Sequence, residues 1–239
     1  MESHSIIDFT YISGSFFFVI GYVKVTLYLT IISVVMGTIL GLISCIVQIK
    51  RISVLCQLSR LYVLVCRSLP NMVLLYLVYY GLPIAFLALS DHTGIHVPFE
   101  VVPAVFVAAV GLTLHTGAYL SEIFRAALQS VPEGQIEASR ALGMTWFQAF
   151  RRVVLPQASV FALPLFANQF LSTMKSTSIC FVITVVELFG AAKLYCEDNS
   201  QYFEAYIVVA CLYWGMGIIF EYMFSRLEAV LGKYKRGNV

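Results

Sequence analysis

The chain has 239 residues, of which 60% are hydrophobic and only 12% charged, where a soluble chain has roughly 45–50% and about 25%. So much apolar surface cannot be hidden inside a water-soluble globule of this length, which excludes a soluble enzyme, a secreted disulfide scaffold and a disordered tail. A net charge of +2 and a pI near 8.2 are too mild for a nucleic-acid surface, so no nucleic-acid partner is expected.

The bilayer must act as solvent for much of this chain. The N-terminus, Met1-Glu2-Ser3-His4, carries acids before its first base, Lys24, so no secretory signal is expected. The apolar stretch Phe9–Val23 is short for a span and suits an interfacial helix or an extension of its neighbour. Charge-free windows then run over 25–49, 68–90, 101–121, 153–174 and 205–220. A crossing needs about 20 mostly apolar residues, which the first four supply. Tyr202, Tyr206, Tyr213 and Trp214 give the shorter fifth window its interfacial aromatics. A further apolar stretch, Ser176–Val186, is again short for a span. The expectation is an all-α membrane protein of about five transmembrane helices, near 20–49, 61–90, 98–125, 153–178 and 202–225.

Lys and Arg set the orientation. Lys50, Arg51, Arg60 and Arg67 follow the first span. Arg125, Arg140, Arg151 and Arg152 follow the third, and Arg226, Lys233, Lys235 and Arg236 follow the fifth. The alternate loops hold mainly acids: Glu2 and Asp8, then Asp91 and Glu100, then Glu187, Glu197, Asp198 and Glu204. The positive-inside rule therefore places the N-terminus outside and the C-terminus in the cytoplasm. Within span one, Gly37 and Gly41 form a small-xxx-small pair suited to close helix packing. The six cysteines show no CxxC or zinc spacing, and Cys196 alone sits in a polar stretch. His92 and His96 have metal-like spacing, but Gly94 between them weakens the helix it assumes, and no metal site is expected.

The connection between spans three and four, about 126–152, reads as a short amphipathic helix on the cytoplasmic side. Pro132-Glu133 starts it. Ile136, Ala138, Ala141 and Leu142 share a face, with Gln135, Glu137, Ser139 and Arg140 around it. Gly143 then breaks the run where a helix can end in a left-handed residue. Periodicity alone fits a helix lying on lipid.

The spelling adds more. Glu137-Ala138-Ser139, Gly143 three residues on, and Val153-Val154-Leu155-Pro156 after nine more resemble the EAA loop of ATP-binding-cassette importer permeases. The departures are Ser139 for Ala and Val153 for Ile. Ala118 to Arg125, Val131-Pro132-Glu133-Gly134-Gln135, Leu155-Pro156-Gln157-Ala158 and Pro164…Asn168…Lys175-Ser176-Thr177-Ser178 resemble the polar amino acid branch. So does Tyr79-Tyr80-Gly81-Leu82-Pro83, which closes span two in that style. The matches cover roughly residues 60 to 190, and their wording leans toward cystine and basic amino acid permeases. Two departures stand out: Arg67-Ser68-Leu69-Pro70 replaces the branch's Arg-Gly-Thr-Pro, and Leu74 replaces a frequent glutamine.

The resemblance implies a multi-pass subunit of the bacterial cytoplasmic (inner) membrane, all 239 residues forming one importer transmembrane domain. It implies a second permease subunit, identical or related, and an extracellular or periplasmic amino acid-binding receptor. The chain has no Gly-x-x-x-x-Gly-Lys-Ser/Thr, so it is expected to be non-catalytic and without a cofactor of its own. ATP and Mg would sit on a separate cytoplasmic ATPase dimer, against which Glu133, Gly134, Glu137, Ala138, Ser139, Leu142 and Gly143 would couple. Glu122 and Arg125, three apart, suit a local ion pair.

Polar groups inside spans usually face a cavity or a partner helix, which makes Thr113, His115, Asn168 and Lys175 the candidates for the substrate pathway. For His115 the plain alternative is a helix–helix hydrogen bond. Lys175 to Ser178 equally suit an anchor for the outer end of span four or a contact with the receptor. Two other classes stay in view: an ATP-independent carrier or channel, and an intramembrane enzyme. No internal duplication supports the former, and no nucleophile motif or metal set supports the latter.

Overall fold

The computed structural model describes residues 8–94, 102–197 and 199–236, with backbone alone for 233–236. Among the described residues the chain is all-helical: α1 (Phe9–Val19), α2 (Val23–Ile49), α3 (Ser53–Ser68), α4 (Asn71–Thr93), α5 (Ala104–Gln129), α6 (Glu133–Ala141), α7 (Trp146–Ala149), α8 (Leu155–Ser176), α9 (Leu188–Cys196) and α10 (Tyr202–Arg236). Five stretches are long and apolar enough to cross a bilayer: Phe9–Ile49, Asn71–Thr93, Ala104–Gln129, Trp146–Ile183 and Tyr202–Gly232.

Local chemistry explains where these stretches begin and break. Asp8 caps α1, its carboxylate accepting from the N–H groups of Thr10 (2.9 Å) and Tyr11 (3.1 Å). A single 3-10 turn, Ile20–Tyr22, joins α1 to α2, so Phe9–Val23 is an extension of the first span. Lys24 is exposed inside this run; its long apolar stem lets the ammonium reach a boundary without ending the helix.

The segment expected as one span over 61–90 is two helices. Pro70 lacks an N–H and is extended (φ −56°, ψ 137°), so α3 stops at Ser68 and α4 restarts at Asn71. Nor does Pro83 close α4, which runs on to Thr93 and ends at Gly94 in the left-handed region (φ +70°). The stretch from Ser176 to Val186 adds no span of its own: a 3-10 turn over Thr177–Ile183 continues the fourth stretch and ends at left-handed Thr184 (φ +67°). His96, Glu100 and Asp198 lie outside the described residues.

Two compact units divide the chain. The first comprises Met1–Val34, Leu69–Thr113 and Thr173–Gly217. Here α1 packs on α9 through Tyr11, Gly14 and Phe18 against Tyr195. The Tyr11 hydroxyl donates to the Tyr195 carbonyl at 3.2 Å. Cys196, which the sequence places in a polar stretch, is the last residue of α9 and fully buried, because this packing encloses it.

The second unit comprises Val35–Ser68, Leu114–Ser172 and Ile218–Val239. Here α2 crosses α5 at close range: a Cβ on Gly37 would lie 3.1 Å from the Gly117 nitrogen, and one on Gly41 3.0 Å from the Gly117 oxygen. The small-residue pair therefore brings two backbones together. Tyr62 of α3 donates its hydroxyl to the Leu114 carbonyl at 2.7 Å. Phe170 of α8 packs between Phe220 and Phe224 of α10, with ring centroids at 4.7 and 5.3 Å.

Candidate functional site

The connection after the third membrane-length stretch and the first turns of the fourth are built from three short pieces, all in the second unit. Ser130 and Val131 follow α5 as a turn, and Pro132 (φ −59°, ψ 137°) opens α6 at Glu133. At the other end the Gly143 N–H reaches the Arg140 carbonyl (2.9 Å) and the Met144 N–H the Ser139 carbonyl (3.2 Å). With Gly143 at φ +80°, these are the two bonds of a Schellman C-cap. Thr145 and Gln148 form a capping box at the start of α7. A π-helical turn over Phe150–Val154 then leads into α8. It lies directly before Pro156, which has no N–H to continue a regular ladder.

The face that α6 buries differs from the one its periodicity suggests. Ile136 packs inward against a small core of Ala127, Val131, Val154 and Ala158. Ser139 is also buried (4% exposed), while Ala138, Ala141 and Leu142 are exposed, Leu142 at 80%. Ser139 can occupy the inner face because its hydroxyl donates to the Ile136 carbonyl at 2.7 Å and its small side chain admits close approach. Glu133, Gly134, Glu137 and Gly143 are exposed. Among the described residues no ion pair engages Glu133, Glu137 or Arg140. Six of the seven candidate coupling residues thus lie on one exposed segment, and Ser139 anchors it from beneath.

Above this segment on α5, Glu122 binds Arg125, the local pair expected from their spacing, and lies 3.7 Å from Arg67 of α3. The Arg67 guanidinium also sits 5.3 Å from the centroid of the Tyr119 ring. The Tyr119 ring in turn meets that of His115 in a tilted contact, centroids 4.8 Å apart. Sequence reading missed Arg67 and Tyr119 here; the i, i+4, i+7 spacing of 115, 119 and 122 was the available signal.

The four substrate-pathway candidates divide between the units. Thr113 and Lys175 fall in the first, His115 and Asn168 in the second. Within the second, His115 has its Nδ1 enclosed without a hydrogen-bond partner among the described residues. Asn168 is exposed on α8, and Lys175 is exposed in its last turn with no ion-pair partner among the described residues. The second unit also forms an open cleft of about 1160 Å³ beside α6, lined in part by Gln135, Arg152, Gln157, Val160 and Pro164. Arg152 and Gln157 had not been singled out as site residues.

Glu187 and Glu204 are not solvated loop acids. Glu187 is fully buried and Glu204 is 9% exposed. Glu187 caps α9, accepting from the Gly190 N–H at 2.9 Å. Its other oxygen accepts the Tyr213 hydroxyl at 2.8 Å and the Thr26 hydroxyl at 3.3 Å.

Five membrane-length stretches, with a short exposed amphipathic helix between the third and fourth, define a multi-pass membrane subunit with a surface outside the bilayer. Residues 33–232 match the family described as binding-protein-dependent transport system inner membrane components, and the chain belongs to that family. It is accordingly an ABC transporter permease of the bacterial inner membrane. It is similar to the probable amino-acid permease protein YxeN of Bacillus subtilis (strain 168), 40% identical over 227 residues, or 95% of this chain and 97% of the relative. The L-cystine transport system permease protein TcyL of the same organism is 35% identical over 216 residues, or 89% and 86% of the two chains. The crystal structure of an amino acid ABC transporter with histidines superposes with a TM-score of 0.79 at 31% identity, covering 94% of this chain and 99% of that one.

Proposed function

We propose that this chain is the transmembrane subunit of an ATP-driven importer of amino acids, its 239 residues serving as one translocation domain. The observation that carries the coupling half of this reading is the outer face of α6. Ala138, Ala141 and Leu142 form an exposed apolar strip beside Glu133, Glu137 and Arg140, which make no ion pair among the described residues. A strip of that kind, rimmed by charge, suits a protein partner better than water. Family membership supplies the partner's class: a cytoplasmic ATPase dimer that carries ATP and Mg. Closure of the ATPase would be received by α6 and passed through α7 and the π-helical turn to α8. In this reading the N-terminus is outside and the C-terminus cytoplasmic, as the basic residues after the first, third and fifth spans require.

Substrate would arrive on an amino acid-binding receptor and pass a pathway to which Thr113, His115, Asn168 and Lys175 contribute, with a second permease, identical or related, completing it. A zwitterionic amino acid offers a carboxylate and an ammonium, which Lys175 and the amide and imidazole groups can match. The cystine lean of the sequence is supported by the name of the TcyL relative.

The test is reconstitution of the permease with its ATPase and receptor in proteoliposomes, followed by uptake of radiolabelled L-cystine, L-arginine and L-histidine. Uptake of one of these that requires both enclosed ATP and the receptor is the expected result. Uptake that persists without ATP would overturn the reading in favour of a carrier.

A further inference from the structure

Glu187 is the most enclosed acid among the described residues, with no exposed surface. No basic side chain comes within ion-pair distance of it there. It is held instead by donors from three directions: the Gly190 N–H at the start of α9, Thr26 of α2 and Tyr213 of α10. Thr26 is itself fixed, since it also accepts the Leu188 N–H at 3.3 Å. A carboxylate with this many oriented donors holds its neighbours as firmly as they hold it.

The network extends one residue further. The Tyr213 hydroxyl stands 3.3 Å from Oγ1 of Thr177, which is fully buried and lies 2.8 Å from the Met174 carbonyl. With the Tyr213 proton directed to Glu187, Thr177 shares its single proton between the Met174 carbonyl and, at longer range, the Tyr213 oxygen. Thr177 opens the 3-10 turn immediately after Lys175 and Ser176, the last residues of α8. The buried end of the network therefore sits two residues from the exposed Lys175 ammonium, which has no ion-pair partner among the described residues. Every member of this set belongs to the first unit.

We propose that Glu187, acting through Tyr213 and Thr177, is a positioning residue: it fixes the Lys175–Ser178 segment and so sets the permease's affinity for the carboxylate of its substrate without touching it. The proposal rests on the reading of Lys175 as a substrate-pathway residue. A purely architectural role for Glu187 makes a different forecast, because loosening the fold would act independently of Lys175.

Equilibrium binding of radiolabelled L-cystine to the purified permease–ATPase complex, with the receptor omitted, separates the two. Four complexes are compared: the parent, Lys175→Ala, Tyr213→Phe and the double variant, with basal ATP hydrolysis confirming assembly of each. Tyr213→Phe keeps the ring and removes only the hydroxyl. It is expected to weaken binding by about three- to tenfold, and the double variant to bind no more weakly than Lys175→Ala alone, the non-additivity of residues acting through one another. Glu187 accepts through both oxygens, so Glu187→Gln, which keeps only one acceptor, is expected to weaken binding as well, and Glu187→Ala, which removes both, to weaken it more. Effects that multiply in the double variant, or normal binding by Tyr213→Phe, would overturn the positioning role alone. If Lys175→Ala binds normally, or the parent complex binds no L-cystine, the substrate reading beneath the proposal fails instead.

Discussion

Gly143 offers a quantitative test of the α6 corner. It stands at φ +80° and closes the helix with bonds of 2.9 and 3.2 Å from Gly143 and Met144 to the Arg140 and Ser139 carbonyls. A Cβ placed there meets nothing within 4 Å, so Gly143→Ala creates no clash. What remains is the conformational cost of an L-residue in the left-handed region, about 1–2 kcal/mol, and less for Asn, whose short polar side chain tolerates it. That cost corresponds to about a 5- to 30-fold shift away from the closed corner. If the closed corner is what the ATPase grips, Gly143→Ala weakens ATPase affinity by up to that factor, and Gly143→Asn falls between it and the parent. The assay is titration of purified ATPase onto the permease in lipid nanodiscs. Parent-like affinity for the alanine variant would refute the reasoning. Equal damage by Ala and Asn would also refute it, since a backbone cost must distinguish them.

Three further outcomes follow from the packing. Gly41→Ala puts a methyl 3.0 Å from backbone atoms of α5 that cannot swing aside. It should cost about 1–3 kcal/mol, read as a lower thermal inactivation temperature in detergent, and Gly41→Val should cost more. Arg67→Ala should change stability by no more than about 1 kcal/mol despite the contact with Glu122. The two side chains are 43% and 23% exposed, and solvent screens such pairs. Thr145→Ala removes the capping-box hydroxyl that accepts the Gln148 N–H. A loss of about 1 kcal/mol should appear as faster amide exchange confined to α7 and the π-helical turn.

The five-span, all-helical plan was legible because apolar length and charge placement are properties of single segments. Helix joints were less so. Lys24 interrupts the charge-free window and made Phe9–Val23 look separate, yet a lysine that carries its ammonium to a boundary need not end a helix. Pro70 did mark the break between α3 and α4, but a window drawn between charges passes over it. On α6 the periodicity identified an apolar face and not its direction. A hydroxyl that bonds its own backbone let Ser139 turn inward and left Leu142 outside. Glu187 was the most opaque position. Its partners Thr26 and Tyr213 lie 161 and 26 residues away, and an acid between two spans reads as a loop acid until such partners are brought to it.

The central claim is that the outer face of α6 holds an ATPase. Its most direct test is purification of the chain from its native membrane, as the parent and as Glu137→Arg, with measurement of the ATP-hydrolysing subunit retained by each. Glu137 is exposed and makes no ion pair among the described residues, so reversing its charge should leave the permease folded. The account predicts an ATPase that accompanies the parent and is lost from the variant while thermal stability is unchanged. An ATPase held equally by both, or by neither under conditions that preserve membrane complexes, would contradict it.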